Sequence, residues 1–376
     1  MSTYFVTGAT GVVGSAITET LISRSAAQLK LLMRASSPDE LRSRLENLFD
    51  FWGVKPDQVV GRVEALVGDA TQPRFGLGAE DYARLTHECT HVVHSAGAVR
   101  MNLRLDDARR SAVDSAKHVI DFARACRDAG QLRKVEFLST VGVGGRLPGS
   151  VPERWISEPR RFHNTYEQAK AEAELIVERA ILNGLPITVH RPSMVVGNST
   201  TGKVMHFQVF YYLIEFLSGQ QTFGLFPNPG STRLDVVPVD HVAEAVLWSS
   251  GCPDTSGKIL HLCAGPDRAL DLVDLRRLVR ASFQDAGINL PRSTTVPASI
   301  FRAAIAVLRR VTYRPYRRTL GSVPIFLDYL AERQFFANYE TAKRLQQAGI
   351  STPSPSAFLP TVIGYYLERR RTRHAA

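Results

Sequence analysis

The sequence predicts an α/β fold in which helices cover both faces of a doubly wound parallel sheet. Through the first half of the chain, short apolar runs alternate with amphipathic stretches of helical period. The connections between these stretches are short, as repeated βα units with right-handed crossovers require. The chain has 376 residues, of which 44% are hydrophobic. That is enough for one large core and a smaller satellite domain.

The predicted elements follow one another in the order that such units require. Strands are expected at residues 4–7, 29–34, 63–67, 91–95, 134–139 and 187–190. Helices are expected at residues 11–23, 38–51, 107–129 and 165–183. Ser37 is well placed to cap the second helix, with Glu40 three residues later. Together these elements predict a Rossmann-type sheet.

The pattern changes after residue 197. Residues 207–217 predict an aromatic-rich helix, 223–230 a loop with two prolines, 234–238 a strand and 239–249 a helix. We therefore expect a Rossmann domain formed by residues 1–198 and 233–264. A smaller, mainly helical substrate-binding C-terminal domain is expected from residues 199–232 and 265–376.

Composition limits the classes of protein that the chain can represent. The sequence starts with a strand rather than a secretory signal, and it has no apolar stretch of about 20 residues that could span a bilayer. The cysteines lie far apart, without Cys-x-x-Cys spacing, and the histidines show no metal-ligand spacing. These features predict a cytoplasmic protein with unpaired thiols and no metal site.

A glycine-rich turn is expected between the first strand and the first helix. Residues 7–14 read TGATGVVG, with glycines at G-x-x-G-x-x-G spacing. Such glycines permit a tight turn, close approach of a pyrophosphate and close packing of helix on strand. The helix N-terminus offers free N–H groups to the phosphates. The pattern predicts a dinucleotide site, whose contacts are expected from Thr7, Gly8, Thr10, Gly11, Val12, Val13 and Gly14.

The end of the second predicted strand indicates which dinucleotide binds. An acidic residue there would bond the ribose 2′-hydroxyl of NAD, whereas Arg34 suits the 2′-phosphate of NADP. Arg44 could supply a second guanidinium, although both arginines could instead be solvated surface residues. The sequence favours NADPH/NADP. Further cofactor contacts are expected after the later strands, from Asp69, Ala70, Ser95, Ala96, Gly97, Ser139, Pro192, Ser193, Met194 and Val195.

Tyr166 and Lys170 are the candidate catalytic residues. Their spacing of four places a phenol and an ammonium on one face of a helix. A phenol has an ordinary pKa of about 10, and a neighbouring ammonium is expected to lower it. The lysine can also bond the ribose hydroxyls of the cofactor. Ser139 and Thr140 end the fifth strand, and Thr140 is the preferred hydroxyl for polarising a substrate oxygen.

These residues resemble the extended short-chain dehydrogenase/reductase superfamily, and more closely its thioester reductases. That group includes reductase domains of carboxylic acid reductases, terminal reductases of peptide and polyketide synthases, and fatty acyl-CoA reductases. The resemblance rests on residues 33–35 with 41–45, 68–77 and 235–240, and covers about residues 4–263. The tail, from residue 335 to residue 366, is loosely similar to the end of fatty acyl-CoA reductases.

The resemblance implies a role for each catalytic residue. Thr140 would polarise the substrate carbonyl, Tyr166 would donate a proton and Lys170 would hold the ribose. It also implies NADPH and an acyl thioester, carried by CoA or by a separate carrier protein. Hydride attack would then yield thiol and aldehyde, and a second hydride would yield alcohol. The chain departs from the family where Ala112 replaces a common helix asparagine, which puts proton relay through that helix in doubt.

Basic residues are concentrated in the C-terminal quarter. Residues 290–376 contain 14 Lys/Arg and 4 Asp/Glu, and the rest of the chain is neutral. Apolar stretches at 299–308 and 323–330 flank an arginine-rich stretch at 309–318. This segment could contact an anionic membrane, an acidic carrier protein or CoA phosphates, or it could be a helical cap with solvated arginines. Nucleic acid is not expected, because no recognition module accompanies the arginines.

Three functions fit these patterns. The first is NADPH-dependent reduction of an acyl thioester. The second is an oxidoreductase for a ketone or alcohol, which would use the same catalytic residues and differ in the substrate pocket around residues 207–226. The third is a non-catalytic NADP-binding regulator. An intact tyrosine, lysine and hydroxyl argue against the third, because a sensor needs no proton donor.

Overall fold

The computed structural model describes residues 2–311 and 334–375. At its centre lies a seven-stranded sheet in which every neighbouring pair of strands is parallel. Across the sheet the strands are β3 (Val63–Val67), β2 (Gln28–Met33), β1 (Thr3–Thr7), β4 (His91–His94), β5 (Lys134–Leu138), β7 (Ile187–Pro192) and β12 (Ile259–Leu262). The strand order reverses at β1, so the predicted doubly wound Rossmann-type sheet is confirmed.

Short strand pairs surround this sheet. They join β6 (Gly149–Val151) to β15 (Gln334–Phe336), β8 (Met194–Val196) to β11 (Val236–Pro238), β9 (Leu225–Pro227) to β14 (Thr294–Val296) and β10 (Arg233–Leu234) to β13 (Leu270–Asp271). The described helices are α1 (Val12–Arg24), α2 (Pro38–Trp52), α3 (Ala79–Glu88), α4 (Leu105–Arg109), α5 (Ser115–Asp128), α6 (Thr165–Leu182), α7 (Val209–Ser218), α8 (Val239–Ser250), α9 (Leu272–Asp285), α10 (Ala298–Val311), α11 (Tyr339–Gln347) and α12 (Pro355–Ala375).

The apolar side chains form a core on each face of the sheet and a further core among the C-terminal helices. One face packs on α3, α5 and α6, and the other on α1, α2 and α8. Every residue of β1, β4, β5 and β7 is buried, as expected for parallel strands covered on both faces. The further core joins α7, α9 and α12. Among the described residues, no helix is long and apolar enough to cross a membrane.

The structure differs from the sequence prediction at four places. The loop expected at 223–230 contains the short strand β9, which pairs with β14. The single helix expected at 107–129 is interrupted by a π-helical turn at residues 110–114, where the Ser115 hydroxyl donates to the Ser111 carbonyl. The strand expected at 234–238 is broken at Asp235, whose carboxylate turns to bind two backbone N–H groups. The seventh strand, β12, was not predicted, because its four residues carry no period of their own.

Most other boundaries agree with the prediction to within one or two residues. The second strand ends at Met33, so Arg34 is the first residue after it rather than its last. The sixth strand of the sheet continues to Pro192 instead of ending at residue 190. Much of the arginine-rich stretch and its second apolar flank, residues 312–333, lies outside the described residues. The proposed domain boundaries remain a prediction.

A buried ion pair fixes helix α6 to the sheet. The Arg191 guanidinium donates to both carboxylate oxygens of Glu174, with Nε–Oε1 at 2.9 Å and Nη2–Oε2 at 2.6 Å. The Arg191 side chain is fully buried and that of Glu174 is 5% exposed. The Ser139 hydroxyl donates to the same carboxylate at 2.5 Å. One carboxylate therefore joins β7, α6 and the end of β5.

Removing one member of this pair should destabilise the fold strongly. Arg191→Met would leave the Glu174 carboxylate buried without its counter-charge, at an expected cost of about 3–5 kcal/mol in the free energy of unfolding. Urea denaturation followed by circular dichroism measures this cost. Glu172→Gln is the matched control, because it breaks an exposed pair between the same helix and Arg109 and should leave the midpoint almost unchanged. Equal midpoints for the two variants would contradict the role assigned to the buried pair.

Candidate active site

The glycine turn between β1 and α1 has the geometry of a phosphate cradle. Gly8 has φ +79°, and a Cβ at this position would lie 2.6 Å from the backbone nitrogen of Ala96. A Cβ at Gly14 would lie 2.2 Å from the Gly8 carbonyl oxygen and 2.4 Å from the Ser95 hydroxyl. Neither position can carry a side chain unless the neighbouring chain moves. The turn, the first helix and the end of β4 are therefore in direct contact.

The N-terminus of α1 is open to an anion. Gly11 is its N-cap and provides no side-chain hydrogen bond, and the first turn contains no acidic residue. The first N–H groups of a helix have no partner within the helix, and the helix dipole adds positive potential there. His206 lies beside the same turn, with Nε2 3.1 Å from the Thr10 carbonyl oxygen. These features fit the pyrophosphate of a dinucleotide.

The two arginines that are predicted to bind the 2′-phosphate of NADP differ in their surroundings. Arg34 is exposed directly after β2 and has no hydrogen-bond or ion-pair partner among the described residues. Arg44 instead forms an ion pair with Glu40, with Nη2–Oε1 at 2.7 Å. The Glu40 carboxylate also accepts from the Ser36 hydroxyl and backbone, and these bonds, with Arg44, lower the pKa of Glu40 to about 2. Arg34 is thus the freer guanidinium.

The turn after β3 belongs to residues 68–77, one of the segments on which the family resemblance rests. Asp69 accepts from the Thr71 backbone through Oδ1, and its own N–H donates to the Phe75 carbonyl. Arg74 and Phe75 both have positive φ, at 51° and 62°, which is rare for residues other than glycine. This conformation buries Phe75 completely against Phe5. The predicted cofactor contacts Asp69 and Ala70 therefore lie in a hydrogen-bonded turn.

The segment after β4 runs between the glycine turn and the candidate catalytic lysine. The Ser95 hydroxyl donates to the Thr7 carbonyl at 2.8 Å. A Cβ on Gly97 would lie 3.5 Å from the Lys170 Nζ. The Ala98 N–H donates to the Ser111 hydroxyl at 2.8 Å, in the π-helical turn. This segment therefore joins the predicted cofactor site to the predicted catalytic site.

Thr140, Tyr166 and Lys170 meet at the C-terminal edge of the sheet. Asn164 caps α6 by accepting from the Glu167 N–H, so the helix begins at Thr165 and presents Tyr166 in its first turn. The Thr140 hydroxyl is hydrogen-bonded to the Tyr166 phenol. The Ser139 hydroxyl is instead engaged by the buried carboxylate described above. This geometry favours Thr140 over Ser139 as the hydroxyl that meets a substrate.

Lys170 lies one helical turn after Tyr166, in a largely apolar environment. Its ammonium donates to the Leu138 carbonyl at 2.8 Å and lies 5.6 Å from the centre of the Phe137 ring. Burial lowers the pKa of Lys170 to about 8, although the Glu174 carboxylate acts in the opposite direction. Burial and the neighbouring lysine also lower the pKa of His94 to about 3. His94 therefore stays neutral near pH 7 and bonds Thr7 at 2.8 Å.

The expected lowering of the tyrosine pKa is not found. Burial raises the pKa of Tyr166 to about 12, and the hydrogen bond from Thr140 offsets this only in part. The expectation was wrong for this protein because desolvation of the phenolate is the largest effect on the pKa of Tyr166, and the nearby Glu167 carboxylate raises it further. Tyr166 is therefore a neutral phenol near pH 7. A neutral phenol can donate a proton but is a weak base.

The loops after β7 and β12 are tied together by a residue that sequence reasoning gave no role. The Asp235 carboxylate accepts from the backbone N–H groups of Ala264 and Gly265, both at 2.8 Å. Burial raises the pKa of Asp235 to about 6. The Ser193 N–H donates to the Leu262 carbonyl at 3.0 Å. The Met194 N–H donates to the Asp235 carbonyl at 3.4 Å, so the predicted cofactor segment at residues 192–195 is bonded both to the end of β12 and to Asp235.

His190 and the cysteines lie outside the candidate active site. His190 Nε2 lies 2.5 Å from the Glu136 carboxylate in a buried cluster, which accounts for this histidine as a structural residue. The described residues contain no group of three or more His, Cys, Asp or Glu that could hold a metal ion. The four cysteines are unpaired, and three of them are buried.

Comparisons with known proteins identify relatives of the whole fold. The chain is 28% identical over 274 residues to an isonitrile lipopeptide synthase of Streptomyces coeruleorubidus, covering 72% of this chain and 18% of that protein. The terminal R domain from the myxalamid PKS-NRPS biosynthetic pathway has a similar structure, with a TM-score of 0.81, 24% identity and coverage of 98% and 91%. A thiolation-reductase di-domain from an archaeal non-ribosomal peptide synthetase gives a TM-score of 0.77 with 19% identity, covering 99% of this chain and 76% of that one.

The chain spans about a fifth of the length of the curated relatives that it matches first. The two structural matches are below 25% identity, so they establish the fold. Residues 6–246, well over half of the chain, match the NAD-binding family described as "Male sterility protein". This match includes the glycine turn, Arg34, Thr140, Tyr166 and Lys170. The chain therefore belongs to that NAD-binding family, within the thioester-reductase-like group of extended short-chain dehydrogenases/reductases.

Proposed function

We propose that this protein is an NADPH-dependent reductase of acyl thioesters. The observation that carries the proposal is the meeting of a hydroxyl, a phenol and an ammonium beside the dinucleotide turn, in Thr140, Tyr166 and Lys170. These groups can bind a carbonyl oxygen and protonate it as charge develops. Relatives named as a lipopeptide synthase and a thiolation-reductase di-domain support a thioester as the carbonyl compound.

Each residue has a distinct task in this proposal. Thr140 and Tyr166 donate hydrogen bonds to the thioester carbonyl oxygen, and Tyr166 then transfers its proton to that oxygen. Lys170 holds the ribose of the cofactor and supplies positive charge near the phenol. When bound, NADPH supplies the hydride. With a pKa of about 12, Tyr166 carries its proton near pH 7, although it is a weaker acid than an ordinary tyrosine.

The choice of NADPH rests on Arg34. Its exposed guanidinium has no partner among the described residues and stands one residue beyond β2. A 2′-phosphate would give it a bidentate partner. Arg44 would join this site only by leaving Glu40 or by binding both groups.

The substrate arm is carried by CoA or by a carrier protein. A relative named as a lipopeptide synthase and a structural neighbour named as a thiolation-reductase di-domain support a carrier-bound substrate. A contact with membranes, which the basic tail left open, finds no support in the described residues, and residues 312–333 lie outside them.

The proposal is tested by measuring NADPH oxidation with purified protein and matched acyl-CoA, acyl-carrier and ketone substrates. Free thiol released in proportion to NADPH consumed supports thioester reduction, and the ratio of the two distinguishes aldehyde from alcohol as product. Oxidation with ketones or aldehydes alone would favour the ketone/alcohol oxidoreductase instead. NADPH binding without turnover of any substrate would favour the regulator.

Replacing Tyr166 by Phe should abolish most turnover without weakening cofactor binding. The variant keeps the ring and loses only the acidic proton, so kcat should fall by about 100- to 10,000-fold. Fluorescence titration should give a nearly unchanged Kd for NADPH. Tyr339→Phe is the matched control, because this tyrosine is exposed and remote from the site in sequence. Turnover that survives in Tyr166→Phe would refute the assignment of the proton donor.

Replacing Arg34 by Asp should change the preference between the two dinucleotides. Loss of a charge-assisted bond, with a repulsive carboxylate in its place, should weaken NADPH binding by roughly 10- to 100-fold. Binding of NADH, which has no 2′-phosphate, should change little. Both constants are measured by titration with the same protein preparation. Equal effects on NADPH and NADH binding would refute the proposal that Arg34 binds the 2′-phosphate.

The pH dependence of the reaction should report the titration of Lys170. Because burial lowers its pKa to about 8, the ammonium is complete below that pH and is lost above it. The kcat/KM for NADPH, which reports the free enzyme, should therefore fall as pH rises through about 8. Residual activity of Lys170→Arg should lack this limb, because a guanidinium stays charged. A flat wild-type profile, or the same limb in the variant, would contradict the assignment.

A further inference from the structure

A cavity of about 250 Å³ lies among the C-terminal helices, and none of the residues assigned to the active site lines it. Its walls come from the end of α7, the segment from β9 to β10, the start of α9 and the start of α10. Phe216, Leu217, Phe226 and Leu272 give it apolar walls. Among the described residues that line it, two are arginines and none is acidic.

Arg276 is a charged residue of this cavity that has no counter-ion among the described residues. Its guanidinium stacks on the Phe226 ring, 4.7 Å from the ring centre, and donates to the Thr295 hydroxyl at 3.2 Å. It forms no ion pair among the described residues. Burial, Arg280 and Arg277 all lower the pKa of Arg276, as expected for a cation that lacks a counter-charge.

The neighbouring arginines of α9 are already satisfied. Arg277 pairs with Asp274 at 2.6 Å on the exposed side of the helix. Arg280 donates to the backbone carbonyls of Ser218 and Pro291, both at 2.7 Å. Arg276 is therefore half-buried, keeps several N–H groups without an acceptor among the described residues, and lies near the positive charges of Arg277 and Arg280. A guanidinium in this state is suited to a phosphate, which takes two parallel N–H bonds.

Two elements join the cavity to segments of the predicted cofactor site. Helix α7 begins just after His206, which contacts the glycine turn, and ends at the cavity. Its ten residues span about 15 Å at the helical rise per residue. Strand β10 leads from the cavity wall at Thr232 directly to Asp235. The cavity and the glycine turn therefore lie at opposite ends of α7.

We propose that this cavity binds the phosphate of the phosphopantetheine arm that carries the thioester, with Arg276 as the anchoring group. The inference rests on the proposed function, because it names a binding site for that substrate class. The guanidinium holds the phosphate, and the apolar walls contact the methyl groups and methylenes next to it. CoA and a carrier protein both present this chemistry.

Calorimetric titration of the full chain with phosphopantetheine, and with pantetheine as the ligand without phosphate, tests the inference without turnover. Wild-type protein should bind phosphopantetheine at least about tenfold more tightly, the equivalent of about 1.4 kcal/mol. Arg276→Gln should lose this difference, whereas Arg276→Lys should retain part of it. Arg277→Gln is the matched control on the same helix and should retain all of it. Equal binding of the two ligands by wild type, or an unchanged difference in Arg276→Gln, would overturn the inference.

Steady-state kinetics separates this inference from the proposed function. Arg276→Gln should raise KM for acyl-CoA or acyl-carrier by about tenfold, with little change in kcat, and should leave acyl-pantetheine unaffected. If KM rises for acyl-CoA, the cavity binds the arm of CoA. If it rises for acyl-carrier, the cavity binds the arm of the carrier protein. Thioester reduction that is insensitive to Arg276 would refute the site and leave the function standing. Arg276-dependent binding without any thioester reduction would refute the function and leave the site standing.

Discussion

The buried ion pair between Arg191 and Glu174 holds the helix that carries both catalytic candidates. The carboxylate receives two guanidinium bonds and the Ser139 hydroxyl, so α6, β7 and the end of β5 share one anchoring group. A buried charge is costly unless its partners are well aligned, which restricts how far α6 can shift or rotate. Lys170 lies one turn before the carboxylate and Tyr166 two turns before it, so both inherit this restriction.

Burial is the main influence on the pKa values of the two catalytic candidates on α6. The apolar surroundings keep the Tyr166 phenol protonated, with a pKa of about 12, and bring the pKa of Lys170 to about 8. The phenol therefore keeps its proton near pH 7, as donation to a carbonyl oxygen requires, and most of the lysine stays charged at that pH. Gly8 and Gly14 allow the glycine turn to pack against residues 95–96, just after β4. The next residue, Gly97, lies beside Lys170. The predicted cofactor turn and the proposed proton donor thus lie along the same edge of the sheet.

Local patterns in the sequence were sufficient to predict six strands of the sheet, the glycine turn and the grouping of Thr140 with Tyr166. They were insufficient where a side chain is held by a partner distant in sequence, as Asp235 is by the backbone at residues 264–265. The strand β12 was missed for a related reason, because only pairing with β7 identifies its four residues as a strand. The pairing of Arg44 with Glu40 could have been foreseen, since the two lie four residues apart on one helix.

The central claim is that a hydride reaches the thioester carbonyl while Tyr166 protonates its oxygen. A single turnover with NADPH deuterated on the transferred position, analysed by mass spectrometry of the product, tests this claim most directly. The account predicts deuterium on the former thioester carbon of the aldehyde, with free thiol released in equal amount. Thiol released with an acid product that carries no deuterium would show hydrolysis rather than reduction, and would contradict the account.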